Sequence, residues 1–358
     1  MSNFRGAVIG CGRMGAFTSN LMLKWAPSCW HPLSHCEAMI KTQGIDLIAV
    51  CDIDVKQVKL AQAHFAGIIG FHNYEEMINN ICPDIIGIAT RTPERAKIIN
   101  FSAKNGVRGL HIEKPLCNRI SELDLITKIF ESPNLVCTYG ALRRYIPIFS
   151  YARDLVRSGR FGQLEEIQIC FGSSPLMWTH AHSFDLLSFY ADDSDIITVS
   201  ARFNDHGIKR SGAYIDGDPL VESVTVQFAN QVTGLISQMG GNDVVLSCRY
   251  GSVAVESGGR RIICRESLGG DDPYWEKRTV ETFLSEYGGT QLAIERLVKG
   301  LHGHSKLQAT LDKKAILAGH RALFASVQSH LEGGRAICPS NLDPLLEISG
   351  KNSRNQNS

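Results

Sequence analysis

An acid, a base and a proline stand together directly after an apolar run. Residues 107–112 carry one charge, on Arg108, and are followed by Glu113, Lys114 and Pro115. A lysine amine can exchange a proton with a hydroxyl when burial and nearby positive charge lower its pKa. Such a triplet on its own is more often a surface turn. Its chemistry therefore depends on which element it ends and on what that element faces.

A glycine-rich loop near the amino terminus has the spacing of a dinucleotide site. Residues 6–15 read GAVIGCGRMG, a G-x-G-x-x-G pattern of Gly10, Gly12 and Gly15 that also contains Arg13 and Met14. The first glycine permits a tight turn, the second lets the pyrophosphate approach the backbone, and the third lets the helix pack on the strand. The pyrophosphate then faces a helix N-terminus, which favours negative charge. The loop is therefore predicted to bind a dinucleotide.

Asp52 follows the second apolar run, DLIAV, and bears on which dinucleotide binds. A carboxylate there accepts hydrogen bonds from the ribose hydroxyls and repels a 2′-phosphate, so NAD is favoured while NADP stays possible. The other interpretation is a helix cap, but Asp54 already serves as one. The interval from Gly15 to Asp52 is 37 residues, where about 20 is usual. We assign the excess to an insertion near residues 25–35.

The insertion reads WAPSCWHPLSH and contains aromatic, proline and histidine residues. It is either a wall on the substrate side of the cofactor or a packed surface loop. Cys29, His31, His35 and Cys36 could also be metal ligands. Structural zinc sites usually take their ligands from two well-separated pairs, whereas these four are adjacent. We therefore predict no metal site, and a helix that starts near His35.

The surrounding elements alternate in the first third of the chain. Apolar runs at residues 7–9, 47–50, 85–89 and 110–112, with a weaker one at 68–69, alternate with helical patterns. This alternation predicts a doubly wound parallel sheet, a Rossmann domain over residues 1–120. Residues 121–345 are richer in strands and predict an α+β domain with a large open mixed or antiparallel sheet, for substrate and oligomerisation. Residues 346–358 are predicted to be a polar tail.

Parallel sheets bind their ligands beyond the carboxyl ends of the strands. Lys114 ends the fifth predicted strand and would therefore lie near the nicotinamide, with Glu113 beside it. Other residues at strand ends are also predicted to face ligands. Thr90, Thr92 and Pro93 follow the fourth strand and would border the cofactor ribose, and Tyr139, Arg143 and Arg144 follow the sixth. The paired arginines either grip a carboxylate or phosphate of the substrate or tie the two domains together.

Several motifs in order resemble the Gfo/Idh/MocA family of oxidoreductases. They are GCGRMG at 10–15, VCDID at 50–54, IATRTP at 88–93, HIEKPL at 111–116 and HSFDLL at 182–187. The resemblance implies a Rossmann domain followed by an α+β domain, and NAD(P)-dependent chemistry on a sugar, cyclitol or related compound. It also implies that Lys114 is catalytic or orients the substrate.

The second domain departs from the pattern that the resemblance implies. Members of the family commonly carry an Asp-x-x-x-His pair, whose histidine maps to His182 and whose acid maps to Trp178. Either another residue supplies the acid, or His182 acts without a carboxylate partner. His180 is the next candidate for proton transfer. Asp185 is more plausibly structural.

Composition excludes some classes of protein. Formal net charge is +1, from 37 Lys and Arg against 36 Asp and Glu, so no strong field would attract nucleic acid or an anionic membrane. The longest apolar runs are about strand-sized, too short to cross a bilayer. Eleven scattered cysteines predict a reducing, cytoplasmic location. An open sheet of this kind predicts a homodimer or homotetramer.

The leading functional prediction is an NAD(P)-dependent oxidoreductase. It would transfer a hydride between nicotinamide and a hydroxyl or carbonyl carbon of a sugar, nucleotide sugar or cyclitol. Lys114 and His182 would handle the proton. Two alternatives stay open: a glycosidase that uses NAD for transient oxidation, and a regulator that binds the cofactor without turnover.

Overall fold

The computed structural model describes residues 3–267, 277–282, 288–304 and 306–350. The chain divides into two compact units, each assembled from separate parts of the sequence. The first takes in Met1–Cys117, Glu122–Tyr145 and Glu286–Lys314. The second takes in Asn118–Ser121, Ile146–Ser285 and Ala315–Ser358. A segment from late in the chain therefore belongs to the amino-terminal unit.

The first unit is built on a six-stranded parallel sheet in the order β3-β2-β1-β4-β5-β6. Its strands are β1 (Phe4–Ile9), β2 (Ile45–Cys51), β3 (Ile69–Phe71), β4 (Ile85–Ile88), β5 (Gly109–Ile112) and β6 (Val136–Tyr139). The first six helices of the chain also belong to this unit: α1 (Asn20–Trp25), α2 (His35–Lys41), α3 (Val55–His64), α4 (Tyr74–Ile81), α5 (Arg95–Lys104) and α6 (Ile120–Phe130). Only the first residues of α6 are part of the second unit. The predicted Rossmann sheet is confirmed.

The inserted segment interrupts the first helix of the Rossmann unit rather than the loop after it. The N–H of His35 donates to the carbonyl of Met14 at 2.8 Å, and the N–H of Cys36 donates to that of Gly15 at 2.9 Å. Helix α2 thus continues the turn that begins at the glycine loop, and residues 16–34 are looped out of it. The insertion is therefore longer than the segment near residues 25–35 that the sequence indicated.

The second unit contains an eight-stranded mixed sheet and a small three-stranded one. The large sheet runs in the order β16-β15-β14-β13-β7-β12-β11-β8, and only its β12–β7 pair is parallel among the described residues. The strands of the large sheet are β7 (Leu164–Cys170), β8 (Ile196–Asn204), β11 (Leu220–Phe228), β12 (Thr233–Ser237), β13 (Asp243–Cys248), β14 (Gly251–Glu256), β15 (Arg261–Glu266) and β16 (Lys277–Thr282). The small sheet consists of β9 (Lys209–Ser211), β10 (Tyr214–Asp216) and β17 (Glu347–Ile348). The predicted mixed sheet is confirmed, and residues 351–358 of the predicted tail lie outside the described residues.

The remaining helices are shared between the units. Helices α7 (Pro147–Arg157) and α8 (Ala181–Tyr190) pack on the large sheet, and α10 (Lys306–Leu331) has its residues from 315 onward in the same unit. Helix α9 (Gly289–Leu301) belongs to the first unit. Its Ile294, Leu297 and Val298 enter the core around β1 and β2 because they recur at helical spacing on one face.

Candidate functional site

The glycine loop between β1 and α2 has the geometry that a dinucleotide requires. Gly10 has a φ of +96°, a conformation that favours glycine. A Cβ on Gly15 would lie 1.6 Å from the carbonyl oxygen of Gly10, so a side chain cannot be accommodated there. Gly12 is exposed, and a Cβ placed on it would meet nothing within 4 Å. This open approach to the backbone fits a pyrophosphate, with Arg13 and Met14 completing the loop.

Asp52 is fixed at the carboxyl end of β2, beside the glycine loop. Its carboxylate accepts the N–H of Cys11 at 2.7 Å and the N–H of Asp54 at 2.9 Å. Asp54 separately caps α3 by accepting the N–H of Lys56 at 2.9 Å. The cap and the loop contact are therefore made by different acids. Asp52 holds a half-buried negative charge at the edge where the adenosine ribose of a dinucleotide would lie.

The loop after β4 is tied to the turn after β5 by a side chain that the sequence did not single out. Thr90 is followed by a 3-10 helix, Thr92–Glu94, which contains Pro93. Arg95 then donates to the carbonyl of Thr90 at 2.6 Å, to that of Glu113 at 2.7 Å, and to that of Pro115. Arg95 is buried at 5% exposure. Arginine at a helix start is usually on the surface, so no local signal identified it.

Lys114 is half-buried at the carboxyl end of β5, and its peptide bond to Pro115 is cis. Behind it, the Glu113 carboxylate accepts a hydrogen bond from His35 at 3.3 Å and the N–H of Lys114 at 3.2 Å. Burial favours the neutral form of Glu113. The hydrogen bond from His35 and the charges of Lys114 and Arg95 outweigh this effect and lower the pKa of Glu113 to about 2. Glu113 is therefore ionised and faces inward.

Two glycines make room for this buried polar cluster. A Cβ on Gly87 would lie 2.7 Å from Nδ1 of His35, and one on Gly140 would lie 2.8 Å from the Glu113 carboxylate. His111 packs its ring 4.5 Å from that of His35, and burial lowers the pKa of His111 to about 3, so it is neutral near pH 7.

Possible metal ligands converge here rather than among the four adjacent residues Cys29, His31, His35 and Cys36, where no metal site was predicted. Across the described part of the chain, only His35, His111 and Glu113 form a group of three possible ligands, with donor atoms within 4.8 Å of one another. Cys29, His31 and Cys36 do not join His35 in such a group among these residues. The hydrogen bond between His35 and Glu113 already satisfies one ligand pair of this group without an ion.

The residues after β6 form a buried patch with the insertion. The Arg143 guanidinium lies 4.5 Å above the ring of Trp30. Tyr139 donates its N–H to the hydroxyl of Tyr145 at 3.2 Å. Arg143 and Arg144 are 5% and 7% exposed. Within this unit, Arg143 therefore packs against the insertion.

The insertion also packs against the start of α9. The carbonyl of His31 accepts the N–H of Gly288 at 3.0 Å, and the carbonyl of Leu33 accepts the Thr290 hydroxyl at 3.0 Å. A Cβ on Gly288 would lie 1.5 Å from the carbonyl oxygen of Cys29, so only glycine permits this approach. Part of the insertion is thus a packed segment of the first unit.

The second unit places His180 and His182 on one continuous helical stretch. A π-helical turn, Leu176–His180, leads directly into α8, which carries His182 near its start. His182 is half-buried, whereas His180 is buried with Nδ1 2.9 Å from the Ser183 hydroxyl. Trp178 is 48% exposed.

Asp218 is an acid near this stretch that no sequence motif indicated. Its carboxylate accepts the N–H of Met177 at 2.7 Å and that of Trp178 at 3.0 Å, and the residue is 8% exposed. It lies far along the chain from the histidines, so spacing could not reveal it. Asp218 anchors the backbone of the turn that leads to His182.

Residues 4–141 match a family model, GFO_IDH_MocA, described as "Oxidoreductase family, NAD-binding Rossmann fold". Over this segment, the chain is similar to the Gfo/Idh/MocA oxidoreductase family. The predicted family and its NAD cofactor are confirmed, and the chain is an NAD-binding oxidoreductase. No curated protein matches the chain.

Solved structures share the whole Gfo/Idh/MocA architecture with this chain. An oxidoreductase from Agrobacterium radiobacter in complex with NAD+, L-tartaric acid and magnesium is 16% identical, with a TM-score of 0.68 over 95% of this chain and 99% of that one. The WlbA dehydrogenase from Bordetella pertussis, with NADH and UDP-GlcNAcA, is 16% identical, with a TM-score of 0.69 over 94% and 98%. An inositol dehydrogenase homologue from Azotobacter vinelandii, with NADH and myo-inositol, is 15% identical, with a TM-score of 0.70 over 94% and 98%. At these identities the likeness establishes the fold.

In the first unit, most of the predicted cofactor residues lie beyond the carboxyl ends of the parallel strands. The glycine loop, Asp52, Thr90 and the turn at Lys114 follow β1, β2, β4 and β5. These four strands are neighbours in the parallel sheet, in the order β2-β1-β4-β5.

No described helix is long and apolar enough to cross a membrane.

Proposed function

We propose that the protein transfers a hydride between NAD and the carbon of a sugar, nucleotide-sugar or cyclitol hydroxyl, with Lys114 and His182 in proton transfer. The observation that supports this most is the position of Lys114. It stands half-buried at the carboxyl end of β5, on the sheet edge that carries the glycine loop. The ligands of neighbours with the same fold, myo-inositol and UDP-GlcNAcA, suggest the substrate class.

The residues that would hold the cofactor are those at the strand ends. Gly10, Gly12, Arg13, Met14 and Gly15 would surround the pyrophosphate. Asp52 would accept hydrogen bonds from the hydroxyls of the adenosine ribose, and Thr90, Thr92 and Pro93 would border the cofactor ribose. Bound NAD supplies the hydride acceptor. The protein's own contribution is to orient the substrate hydroxyl and to accept its proton.

Lys114 is the proposed acceptor for that proton in the oxidative direction. As a hydride left the carbinol carbon for the bound cofactor, the O–H bond would break, a C=O bond would form, and the proton would pass to the lysine amine. The protonated lysine would then return this proton to solvent. A cationic nicotinamide ring nearby would favour the neutral amine that this step requires.

His182 is the proposed second proton-transfer group. It lies near the start of α8 and is half-buried, so its ring is accessible on one side. Imidazole titrates near neutral pH and can pass a proton to or from a hydroxyl. Trp178 and His180 would border the same substrate, and Tyr139, Arg143 and Arg144 are weaker proposals for substrate contacts because they are buried.

Location and assembly are also proposals. The eleven cysteines are scattered singly along the chain, which suits a reducing cytoplasm. A homodimer or homotetramer would form through the partly exposed face of the large sheet. Neither nucleic acid nor a membrane surface is a proposed partner, because the net charge is only +1.

The test is an assay of the purified protein with NAD and a panel that includes myo-inositol, UDP-GlcNAcA, L-tartaric acid and common hexoses. NADH absorbance and product analysis are followed together. Oxidation of a panel member supports the proposal. Glycoside cleavage without net NADH would instead indicate transient oxidation, and NAD binding without turnover would indicate a regulator.

Lys114→Ala tests the role of the lysine once a substrate is found. Turnover should fall by about two or more orders of magnitude, the usual scale for a positioned proton-transfer group, while NAD affinity is retained. Lys97→Met is the matched control, since Lys97 is an exposed lysine on α5 that pairs only loosely with Glu94 at 3.3 Å. Unchanged turnover in Lys114→Ala would return Lys114 to a structural role.

A further inference from the structure

The backbone on both sides of Lys114 is held by one buried cation. The Arg95 guanidinium donates to the carbonyls of Glu113 and Pro115, the residues that flank Lys114, and to the carbonyl of Thr90 at the end of β4. A guanidinium is planar and presents five N–H donors in a fixed fork, so it can bind several carbonyls at once. Arg95 therefore connects the ends of two neighbouring strands through the turn that carries Lys114.

A buried anion supports the same turn from behind. The Glu113 carboxylate accepts the backbone N–H of Lys114 at 3.2 Å and a hydrogen bond from His35 at 3.3 Å. His35 belongs to α2, so the turn is linked to the element that follows the glycine loop. Gly87 and Gly140 leave room for these two side chains where a Cβ would collide with them.

The free-energy cost of burying these charged side chains indicates that they have a role beyond packing. Burying a cation and an anion carries a desolvation penalty that a pair of apolar side chains would avoid. Here each charged side chain is hydrogen-bonded to the main chain of one short turn. Apolar packing has no direction, whereas these hydrogen bonds fix the orientation of the peptide groups around Lys114.

We propose that Arg95 is a positioning residue for Lys114, acting with the Glu113–His35 pair through the backbone of residues 113–115. This role rests on the proposed proton transfer at Lys114. Arg95 is not placed in contact with substrate or cofactor. Its effect is on the placement of the Lys114 amine, and misplacement of a reacting group by about 1 Å can cost about 10²-fold in rate.

The test compares Arg95→Met, Arg95→Lys and the control Lys97→Met in the full chain. Hydrogen–deuterium exchange is measured on fragments that cover residues 110–117, with fragments of β2 as an internal reference. NAD affinity is measured by titration, and kcat and KM with the substrate that the panel identifies. Thermal unfolding reports whether each variant is folded. Arg95→Lys keeps the charge but presents its donors from a single nitrogen, so it lacks the planar fork through which two guanidinium nitrogens reach the three carbonyls.

Arg95→Met should speed exchange in residues 110–117 and leave β2 unchanged. With NAD affinity retained, its kcat should fall by about 10²-fold and its KM should change by less than about three-fold. Arg95→Lys should recover part of the lost kcat and part of the protection. Lys97→Met should match the unmodified protein in every measurement. If Arg95→Met does not fold, Arg95→Lys carries the same comparison with a smaller effect.

Two outcomes would overturn the positioning role. One is unchanged exchange in residues 110–117 of a folded Arg95 variant, which needs no substrate to observe. The other is faster exchange there with kcat unchanged. Failure of the proposed function looks different, because Lys114→Ala would then retain full turnover or no panel member would be oxidised. The exchange result would stand in either case.

Discussion

At the scale of single residues, we propose that Asp52 determines the choice between NAD and NADP. Its carboxylate accepts two backbone N–H groups, from Cys11 and Asp54, so its direction is fixed. A 2′-phosphate beside it would place like charges together. Because the site is half-buried, solvent screens this repulsion only in part.

Replacing Asp52 with Ser and Ile53 with Arg should shift the ratio of NADP to NAD affinity by about ten-fold or more toward NADP, which corresponds to about 1.4 kcal/mol. The repulsive charge is removed and an attractive one is added. Titration of both cofactors measures the ratio. Asp54→Ser is the matched control, since serine can also cap α3 and the ratio should not move. Tighter binding of NADP than of NAD by the unmodified protein would show that Asp52 does not select against the 2′-phosphate.

The role of His182 also depends on a single residue, because the acid that commonly accompanies this histidine is absent at position 178. Trp178 occupies the position where relatives commonly have a carboxylate, and its indole can only pack or donate one hydrogen bond. Its side chain is 48% exposed, so an introduced acid would be tolerated there. Opposite charge near an imidazole favours its protonated form.

We expect His182→Ala to lower turnover more than NAD affinity, and Trp178→Asp to raise the kinetic pKa without abolishing activity. Profiles of kcat/KM against pH measure both effects. His206→Ala, which removes an exposed histidine from the same unit, is the control and should leave the profile unchanged. Full turnover in His182→Ala would make His180 the next residue to test.

At the scale of elements, the insertion and helix α2 form one interrupted helix. The hydrogen bonds from His35 and Cys36 back to Met14 and Gly15 complete a helical turn across the looped-out residues 16–34. The helix N-terminus that would face the pyrophosphate is therefore formed by residues before the insertion. The insertion itself packs against the start of α9 and under Arg143.

Excision of residues 16–32 should leave NAD affinity nearly unchanged. Joining Gly15 to Leu33 brings the interval from Gly15 to Asp52 to about 20 residues, the usual spacing. The unfolding temperature should fall because the buried Trp30 and Cys29 are lost from the first unit. Cofactor titration and thermal unfolding measure the two effects. A folded variant that no longer binds NAD would show that the insertion shapes the glycine loop.

At the scale of the whole molecule, the two faces of the large sheet differ in burial. Ile167 and Ile169 of β7 point to the buried face, where α8 packs. Gln168 points to the other face, between Leu235 of β12 and Val245 of β13 in direct register. These three side chains are only half-buried. A flat face of this kind could contribute the roughly 800 Å² per partner that a stable dimer buries.

The unmodified protein should therefore be a dimer or tetramer in solution, and the pair Leu235→Arg with Val245→Arg should dissociate it. Two cations on the flat face would repel their copies and leave charge buried in the interface. Light scattering on a sizing column measures the mass. Ile53→Arg, on a side chain that is 92% exposed in the first unit, is the control. A monomeric unmodified protein would exclude the sheet-face assembly.

The sequence by itself determined the features whose causes are local. Gly10 and Gly15 are required by one turn, Asp54 caps the helix that follows it, and Lys114 directly follows a short apolar strand. Alternation of apolar runs with helical patterns was enough to predict the parallel sheet, and closely spaced strand patterns predicted the mixed one. Each of these depends on residues within a few positions of one another, where hydrogen-bonding and steric rules act directly.

Only the tertiary structure decided the contacts that join distant segments. Arg95 is at an ordinary helix start in the sequence, and its three carbonyl partners become visible only when β4 and β5 are side by side. His35 meets Glu113 across an interval of 78 residues, and α9 returns from the carboxyl-terminal third to the first core. Neither pairing has a local spacing rule, because the chain between the partners can be of any length. Polar groups require hydrogen-bond partners when they are buried, and these groups are buried only in the folded state.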